Sequence, residues 1–296
     1  MKAGASGTRG DLGARLGATV GTLISAGVRA LSGASASPLI DAELLLAYAT
    51  TQPRASILAF PERGVHAAAA ERFARMIARR ARGEPLAYLV RGREFFSLPL
   101  RVSPAVLIPR PETEMLVEEA LSSCPRCERR SVLDLATGSG AIALALKREC
   151  PELDVVGSDV SAAALAVARA NAERLGLAVR FVESDWFAAL ADERFDLIVC
   201  NPPYVASSDS AFDELAFEPR LALDGGADGL DAYRDLFAAA ATHLDPRRGM
   251  LLVEHGADQR SELVALAQAH GWRVAAAHDD LAGRPRVLEL ERGSAP

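Results

Sequence analysis

Cysteine is scarce in this chain, basic residues are outnumbered, and no apolar run is long enough to cross a membrane. Each shortage closes off a class of protein. Four cysteines in 296 residues cannot staple a small secreted scaffold, so a packed core has to hold the fold. The absence of any apolar stretch of about 18 residues means that no spanning helix is expected. The opening residues, MKAGASGTRGD, have no apolar centre of the secretory kind. A cytoplasmic protein with no membrane partner is therefore expected. Acidic residues exceed basic ones by 39 to 33, which argues against a general nucleic-acid binder.

Charge is also unevenly spread. Residues 1–90 hold 11 basic and 6 acidic side chains, and the remainder holds 22 and 33. That split in sign predicts two modules with different surroundings. Residues 1–10 read as a loose tail. Apolar residues at helical spacing predict helices over 11–31, 39–50 and 65–84, with glycines weakening the first. Phe73, Met76, Ile77 and Arg80 share one side of the third. Arg72, Arg75, Arg79 and Arg82 align on another face, which is either solvated or a docking surface for an acidic partner. No strand signal precedes about residue 88, so the first module, 1–88, is expected to be a small all-α domain.

Residues 89–110 contain a short hairpin (REFFSLPLRVS) and a proline-rich linker. From 111 to 296, strands and helices alternate. Seven strands are expected: 131–137, 154–160, 179–184, 195–200, 249–255, 273–279 and 284–291. Helices at 113–122, 140–149, 161–175, 230–244 and 257–270 separate them. This pattern specifies an α/β fold, a mostly parallel sheet with helices on both faces. The last two strands have only a short connection, so they pair antiparallel at one end of the sheet.

The strand VLDLAT runs into a turn of small residues and then a helix. Gly138 and Gly140 permit a tight turn and close backbone approach, and the free amides at the helix start suit a nucleotide. Asp159 ends the next strand, near the offset at which an acid reaches ribose hydroxyls. Taken alone, Asp159 could equally be a helix N-cap. Trp186, in ESDWF, is either a core aromatic or a wall of the same site. The fourth strand ends in Asn201-Pro202-Pro203-Tyr204. Two prolines hold their carbonyls rigidly, Asn201 offers an acceptor and a donor, and Tyr204 offers a flat face. These parts suit a planar –NH2 group held by the Asn201 side-chain carbonyl and the Pro202 backbone carbonyl. The alternative is a proline-rich turn that merely caps a strand.

The turn D-x-A-T-G-S-G resembles the first motif of class I S-adenosylmethionine-dependent methyltransferases, which have a Rossmann-like fold. N-P-P-Y resembles the signature of methyltransferases that act on planar nitrogen. EPLAYLVRGREFFSLPLRVSPAVLIPRPETEMLVEEAL, VLDLATGSGAIALAL, SDWF, NPPYV, FEPRLALDGGADGL and LLVEHG follow in that order. Together with the helical N-terminal domain, they resemble the HemK/PrmC-type glutamine methyltransferases over nearly the whole chain. That resemblance implies S-adenosyl-L-methionine as cofactor and methylation of N5 of the Gly-Gly-Gln glutamine of peptide chain release factors. It implies that Ala136, Thr137, Gly138, Ser139, Gly140, Asp159, Trp186 and Asn201 meet the cofactor. Asp185 likewise resembles an adenine-side residue.

By the same resemblance, Asn201, Pro202, Pro203 and Tyr204 bind the glutamine, with Asn201, Pro202 and Tyr204 carrying catalysis. A monomer without direct nucleic-acid contact is expected. The family usually has glycine where this chain has Ala136, a departure that brings strain if φ there is positive. Phe95, Phe96 and IPRPETE are candidates to wall the glutamine pocket, and Glu218-Pro219-Arg220 to shape the loop over it. Cys124 and Cys127 read as surface thiols, and Cys150 and Cys200 as small core residues. Rival readings are a ribosomal-protein glutamine methyltransferase, a nucleic-acid exocyclic-amine methyltransferase and a non-catalytic binding module.

Overall fold

The computed structural model describes residues 16–124 and 130–293, and the chain divides after Arg91 into two compact units. The tail expected over residues 1–10 and the Cys127 thiol lie outside the described residues.

The first unit contains β1 (Leu16–Thr19), α1 (Val20–Leu31), α2 (Pro38–Thr50), α3 (Arg54–Ala59), β2 (Gly64–His66), α4 (Ala67–Arg80) and α5 (Leu86–Leu89). Its core gathers Leu31, Leu45, Leu46, Ile57, Phe73 and Ile77. Gly27 explains why α1 tolerates its glycines. A Cβ there would stand 2.9 Å from the Phe73 ring and 3.1 Å from Ala42 and Ile77, so the missing side chain is what lets the helices meet. Arg80, on the same side of α4 as Phe73, reaches the buried Asp41 at 2.7 Å. On the arginine face, Arg72 donates to the Ala49 carbonyl, Arg75 lies 3.9 Å from Glu71, and Arg79 pairs with Glu84. Three of the four aligned arginines thus have partners within the unit.

The domain is helical as expected, with one addition: β1 and β2 form a two-stranded antiparallel ribbon. Strands of four and three residues, paired across more than 40 positions of chain, leave no local periodicity to read.

The second unit contains the hairpin β3 (Arg93–Phe95) and β4 (Leu98–Leu100), then α6 (Thr113–Ser122), β5 (Ser131–Leu135), α7 (Ala141–Glu149), β6 (Asp154–Asp159), α8 (Ala162–Leu175), β7 (Arg180–Glu183), β8 (Leu197–Cys200), α9 (Ala211–Glu214), α10 (Asp231–Ala239), β9 (Met250–Glu254), α11 (Arg260–Ala269), β10 (Trp272–Asp279) and β11 (Pro285–Arg292). Seven strands form one sheet in the order β10-β11-β9-β8-β5-β6-β7. The central pairs are parallel, and β11 is antiparallel to both neighbours. The last strand therefore inserts between β9 and β10.

Alternation along the strands builds two cores. Val132, Val155, Leu197, Val199, Leu252 and Val287 face α6, α7 and α8. Leu133, Leu135, Ile198, Cys200, Leu251, Val253 and Leu288 face α10 and α11. Central strands buried on both faces read as continuous apolar runs, as LIVC does. Cys150 and Cys200 are buried, and burial pushes the Cys200 thiol well up. Cys124, expected at the surface, is buried against α6 and the sheet. It sits just past the end of α6, its N–H donating to the Leu121 carbonyl at 3.1 Å. Among the described residues, no helix is long and apolar enough to cross a membrane, and no cluster of side chains could hold a metal ion.

Candidate active site

The turn after β5 is tied down from below. Asp134 is fully buried, and its Oδ2 accepts from Thr137 Oγ1 at 2.5 Å and from the Ala143 N–H at 3.0 Å. Burial pushes this carboxyl up to about 7. Asp159, ending β6, accepts from the Gly138 N–H at 2.9 Å and the Ser161 N–H at 2.8 Å. Burial raises its pKa, while those two backbone donors oppose the rise. Gly140 has φ 80°, and a Cβ there would meet Ala168 and Leu144 at 3.2 Å. Gly138 has φ 55° with nothing within 4 Å of its Cβ position, so its bare backbone borders open space. Ala136 has φ 60°. An L-residue in this left-handed region bears about 1–2 kcal/mol of strain, which the glycine usual in the resembling family avoids.

The open space is a cavity of 280 Å3 beyond the strand ends. Its walls include Ala136, Gly138, Asp159 and Trp186, together with Asn201 and Pro203. Ser158 Oγ, also in the wall, has no hydrogen-bond partner among the described residues. Apolar surface comes from Val106, Leu107, Val160 and Leu221. An apolar slot with a few convergent polar groups is the usual form of a small-molecule site. A flat ring, a diol and a charged tail fit the set present: Trp186 and Val160, Asp159, and the bare Gly138 backbone.

The Asn201 corner is held from two directions. Asn201 Nδ2 donates to Thr113 Oγ1 at 3.1 Å. Gln259 Nε2 donates to the Tyr204 carbonyl at 3.1 Å, and the Val205 N–H donates to the Leu223 carbonyl at 2.8 Å. The segment DGGADGL packs against this corner because it is rich in glycine. A Cβ on Gly225 would lie 2.8 Å from the Pro203 carbonyl, and one on Gly229 (φ 76°) 2.5 Å from the Tyr204 carbonyl. Burial and the nearby Glu254 push the Tyr204 phenol up to about 12. Glu218 Oε2 accepts from the Ile108 N–H at 2.9 Å, and its other oxygen pairs with Arg110. That pair ties IPRPETE, none of whose residues lines the cavity although Leu107 just before it does, to FEPR, which contributes Pro219.

Comparison with known proteins is decisive at this point. The family described as "Methyltransferase small domain" matches residues 111–218, and "PrmC N-terminal domain" matches residues 22–90. The release factor glutamine methyltransferase of Xylella fastidiosa (strain 9a5c) is 47% identical over 251 residues, 84% of this chain and 91% of its own. The protein of that name from Coxiella burnetii (strain RSA 493 / Nine Mile phase I) is 41% identical over 264 residues, 89% and 95%. The chain belongs to the release factor glutamine methyltransferase family. It is accordingly a methyltransferase whose cofactor is S-adenosylmethionine. A methyltransferase of Pyrococcus furiosus, 19% identical, aligns with 76% of this chain and all of its own at a TM-score of 0.52, a likeness of fold.

Not every residue expected to meet the methyltransferase's ligands lies in the cavity wall. Ala136, Gly138, Asp159, Trp186, Asn201 and Pro203 line it. Thr137, Ser139, Gly140, Pro202 and Tyr204 do not. Thr137 and Gly140 brace the turn, and the Ser139 carbonyl accepts from Asn171 Nδ2 at 3.0 Å. Pro202 is buried, and Tyr204 packs against the α10–α11 core. Phe95 is buried in the α6–α7 core, with Phe96 packed on it, and neither lines the cavity. Sequence reasoning passed over Ser158, Val160, Ser161 and Ser184, all wall residues at strand ends. Their position at the C-terminal ends of β6 and β7, with Ser158 inside β6 and the others just beyond the strands, was the available signal. It included Thr113 only as part of IPRPETE and gave no role to Glu254, and the burial of both is revealed only by the fold.

Proposed function

We propose that this methyltransferase modifies N5 of the glutamine in the Gly-Gly-Gln motif of peptide chain release factors. The observation carrying this reading is that Asn201 and Pro203 of the corner line the same cavity as Asp159, Gly138 and Trp186. Bound S-adenosylmethionine supplies an electrophilic methyl group on a cationic sulfur. Asp159 and the Ala136–Gly140 turn would hold that cofactor, and Trp186 would offer it an aromatic face. The Asn201 side-chain carbonyl and the Pro202 backbone carbonyl accept the two N–H bonds of the glutamine amide, and Tyr204 covers its plane. Holding both N–H groups aims the nitrogen lone pair out of the amide plane, toward the cavity. Two oxygen acceptors also stabilise positive charge as it builds on that nitrogen. Tyr204 packs rather than acting as a base, because its phenol keeps its proton up to about pH 12. The helical unit, residues 1–88, recognises the body of the release factor. The enzyme works in the cytoplasm as a monomer.

The test is to incubate the purified chain with labelled S-adenosylmethionine and, separately, release factor, ribosomal proteins, and DNA or RNA. Label is expected on release factor glutamine. Label on ribosomal protein alone would move the substrate, and label confined to nucleic acid would overturn the glutamine reading.

A further inference from the structure

β8 and β9 run parallel with Cys200 beside Val253. One residue further along each chain come Asn201 and Glu254. Cys200 and Val253 face the α10–α11 core, so the pleat turns the next residue of each strand toward α6. The residue waiting there is Thr113, first in α6 and 4% exposed. Asn201 Nδ2 donates to Thr113 Oγ1. Glu254 is 1% exposed, and its Oε2 has no hydrogen-bond partner among the described residues.

A primary amide has two ends of nearly equal size, and only hydrogen-bond polarity tells them apart. The substrate needs the carbonyl end of Asn201. A hydroxyl has one proton to give. A neighbouring carboxylate can only accept, so it claims that proton, and the Thr113 oxygen is then left as an acceptor toward Asn201. Asn201 must in turn present its NH2 to Thr113 and its carbonyl elsewhere. Without the carboxylate, the hydroxyl could donate to Asn201 and the amide could turn over.

We propose that Thr113 and Glu254 form a buried polarity relay that fixes which end of the Asn201 amide meets the substrate. The proposal rests on the reading of Asn201 as the acceptor of the glutamine N–H. Both are positioning residues, since each acts through Asn201. Burial raises the Glu254 carboxyl to about 7, with Glu112 adding to the rise, while Thr113, Arg286 and Asn201 oppose it and draw the group toward the charged form that the relay needs.

The experiment compares the full-length Thr113→Val, Thr113→Ser, Glu254→Gln and doubly substituted Val/Gln proteins with the unmodified one. Thr113→Val and Glu254→Gln should each lower kcat about tenfold or more, with the Kd for S-adenosylmethionine held within about twofold. Thr113→Ser should recover most of the loss, and the double variant should be no worse than the poorer single one. Unchanged kcat in Thr113→Val, additive losses, or a parallel loss of cofactor affinity would overturn the relay. A second readout needs no turnover: the Asn201 side-chain NH2 pair in the nitrogen–proton NMR spectrum, assigned by its disappearance in Asn201→Asp. Thr113→Val and Glu254→Gln should both move it, and an unmoved pair overturns the relay. If the unmodified protein labels no glutamine, the substrate reading fails while the NMR result still decides the relay.

Discussion

At the ends of β5 and β6 the cavity is walled largely by backbone and small side chains, whereas at the end of β8 its wall residue Asn201 leans on the buried, polar Thr113. In the first region the acid in the cavity wall, Asp159, is satisfied by two backbone N–H donors within the adjoining turns. In the second, Asn201 leans on Thr113, from a helix 88 positions earlier in the chain. The first region is built from local geometry and tolerates change wherever the backbone path survives. The second depends on the polarity of individual atoms, where a substitution that preserves shape can still remove function.

The sharpest way to break that contrast is Asn201→Ala. It should reduce kcat about 10²-fold or more, as loss of one preorganised polar contact does elsewhere, while cofactor binding stays within about threefold. Equal loss of both, measured by steady-state kinetics and calorimetry, would make Asn201 a cofactor residue and erase the distinction. Asp159→Ala should show the reverse. It removes charge-assisted bonds worth about 1.5–3 kcal/mol each, so the S-adenosylmethionine Kd should rise roughly tenfold or more, with a smaller effect on kcat at saturation.

Gly229→Ala tests the support under the corner. Its Cβ would fall 2.5 Å from the Tyr204 carbonyl in a left-handed conformation. A loss of about 1–3 kcal/mol in denaturant unfolding is expected, with kcat lowered before cofactor affinity.

Acidity should separate stability from turnover at the polar end. Burial raises the carboxyls of Glu254, at the polar end, and of Asp134, beneath the turn after β5, to about 7, from ordinary values of 4.5 and 3.8. Each folded-state pKa lies above its unfolded value, so the folded protein binds these protons more tightly. Their contribution to stability is full below the unfolded values and is lost as pH rises from there through about 7. Glu254→Gln should therefore flatten the decline in melting temperature between pH 5.5 and 8. Turnover should run the other way, rising as Glu254 ionises among Arg286, Glu112 and Tyr204. A pH–rate profile unchanged by Glu254→Gln would deny that link.

The smallest effect belongs to the backbone end. Ala136→Gly relieves about 1–2 kcal/mol of left-handed strain but frees the unfolded chain by roughly 0.4–1 kcal/mol, leaving a net gain near half a kcal/mol. A small rise in the denaturation midpoint is expected, with any tightening of S-adenosylmethionine confined to a few-fold.

How far each region could be read in advance follows the same divide. The turn after β5 announces itself through Gly138 and Gly140, and Asp159 through its distance along the chain, because their interactions are local. Asn201-Pro202-Pro203-Tyr204 was legible for its rigidity. Phe95 was misplaced, since an aromatic beside a predicted pocket looks the same in sequence whether it faces the pocket or the core. Cys124 was misplaced because burial of a helix-ending turn depends on what packs beneath it. The β1–β2 ribbon escaped notice because neither short strand carries a pattern of its own.

The order of elements, the parallel sheet and the chemistry of its two loops were written in residue periodicity and in a few positions where only glycine or proline serves. These are properties of a residue and its near neighbours, and they survive without knowledge of the fold. Tertiary structure decided which carboxylates lose water, which end of α6 meets which strand, and that Thr113, Asn201 and Glu254 share one face. Such facts depend on strand register and on the parity of side chains along two strands separated by about fifty residues of chain.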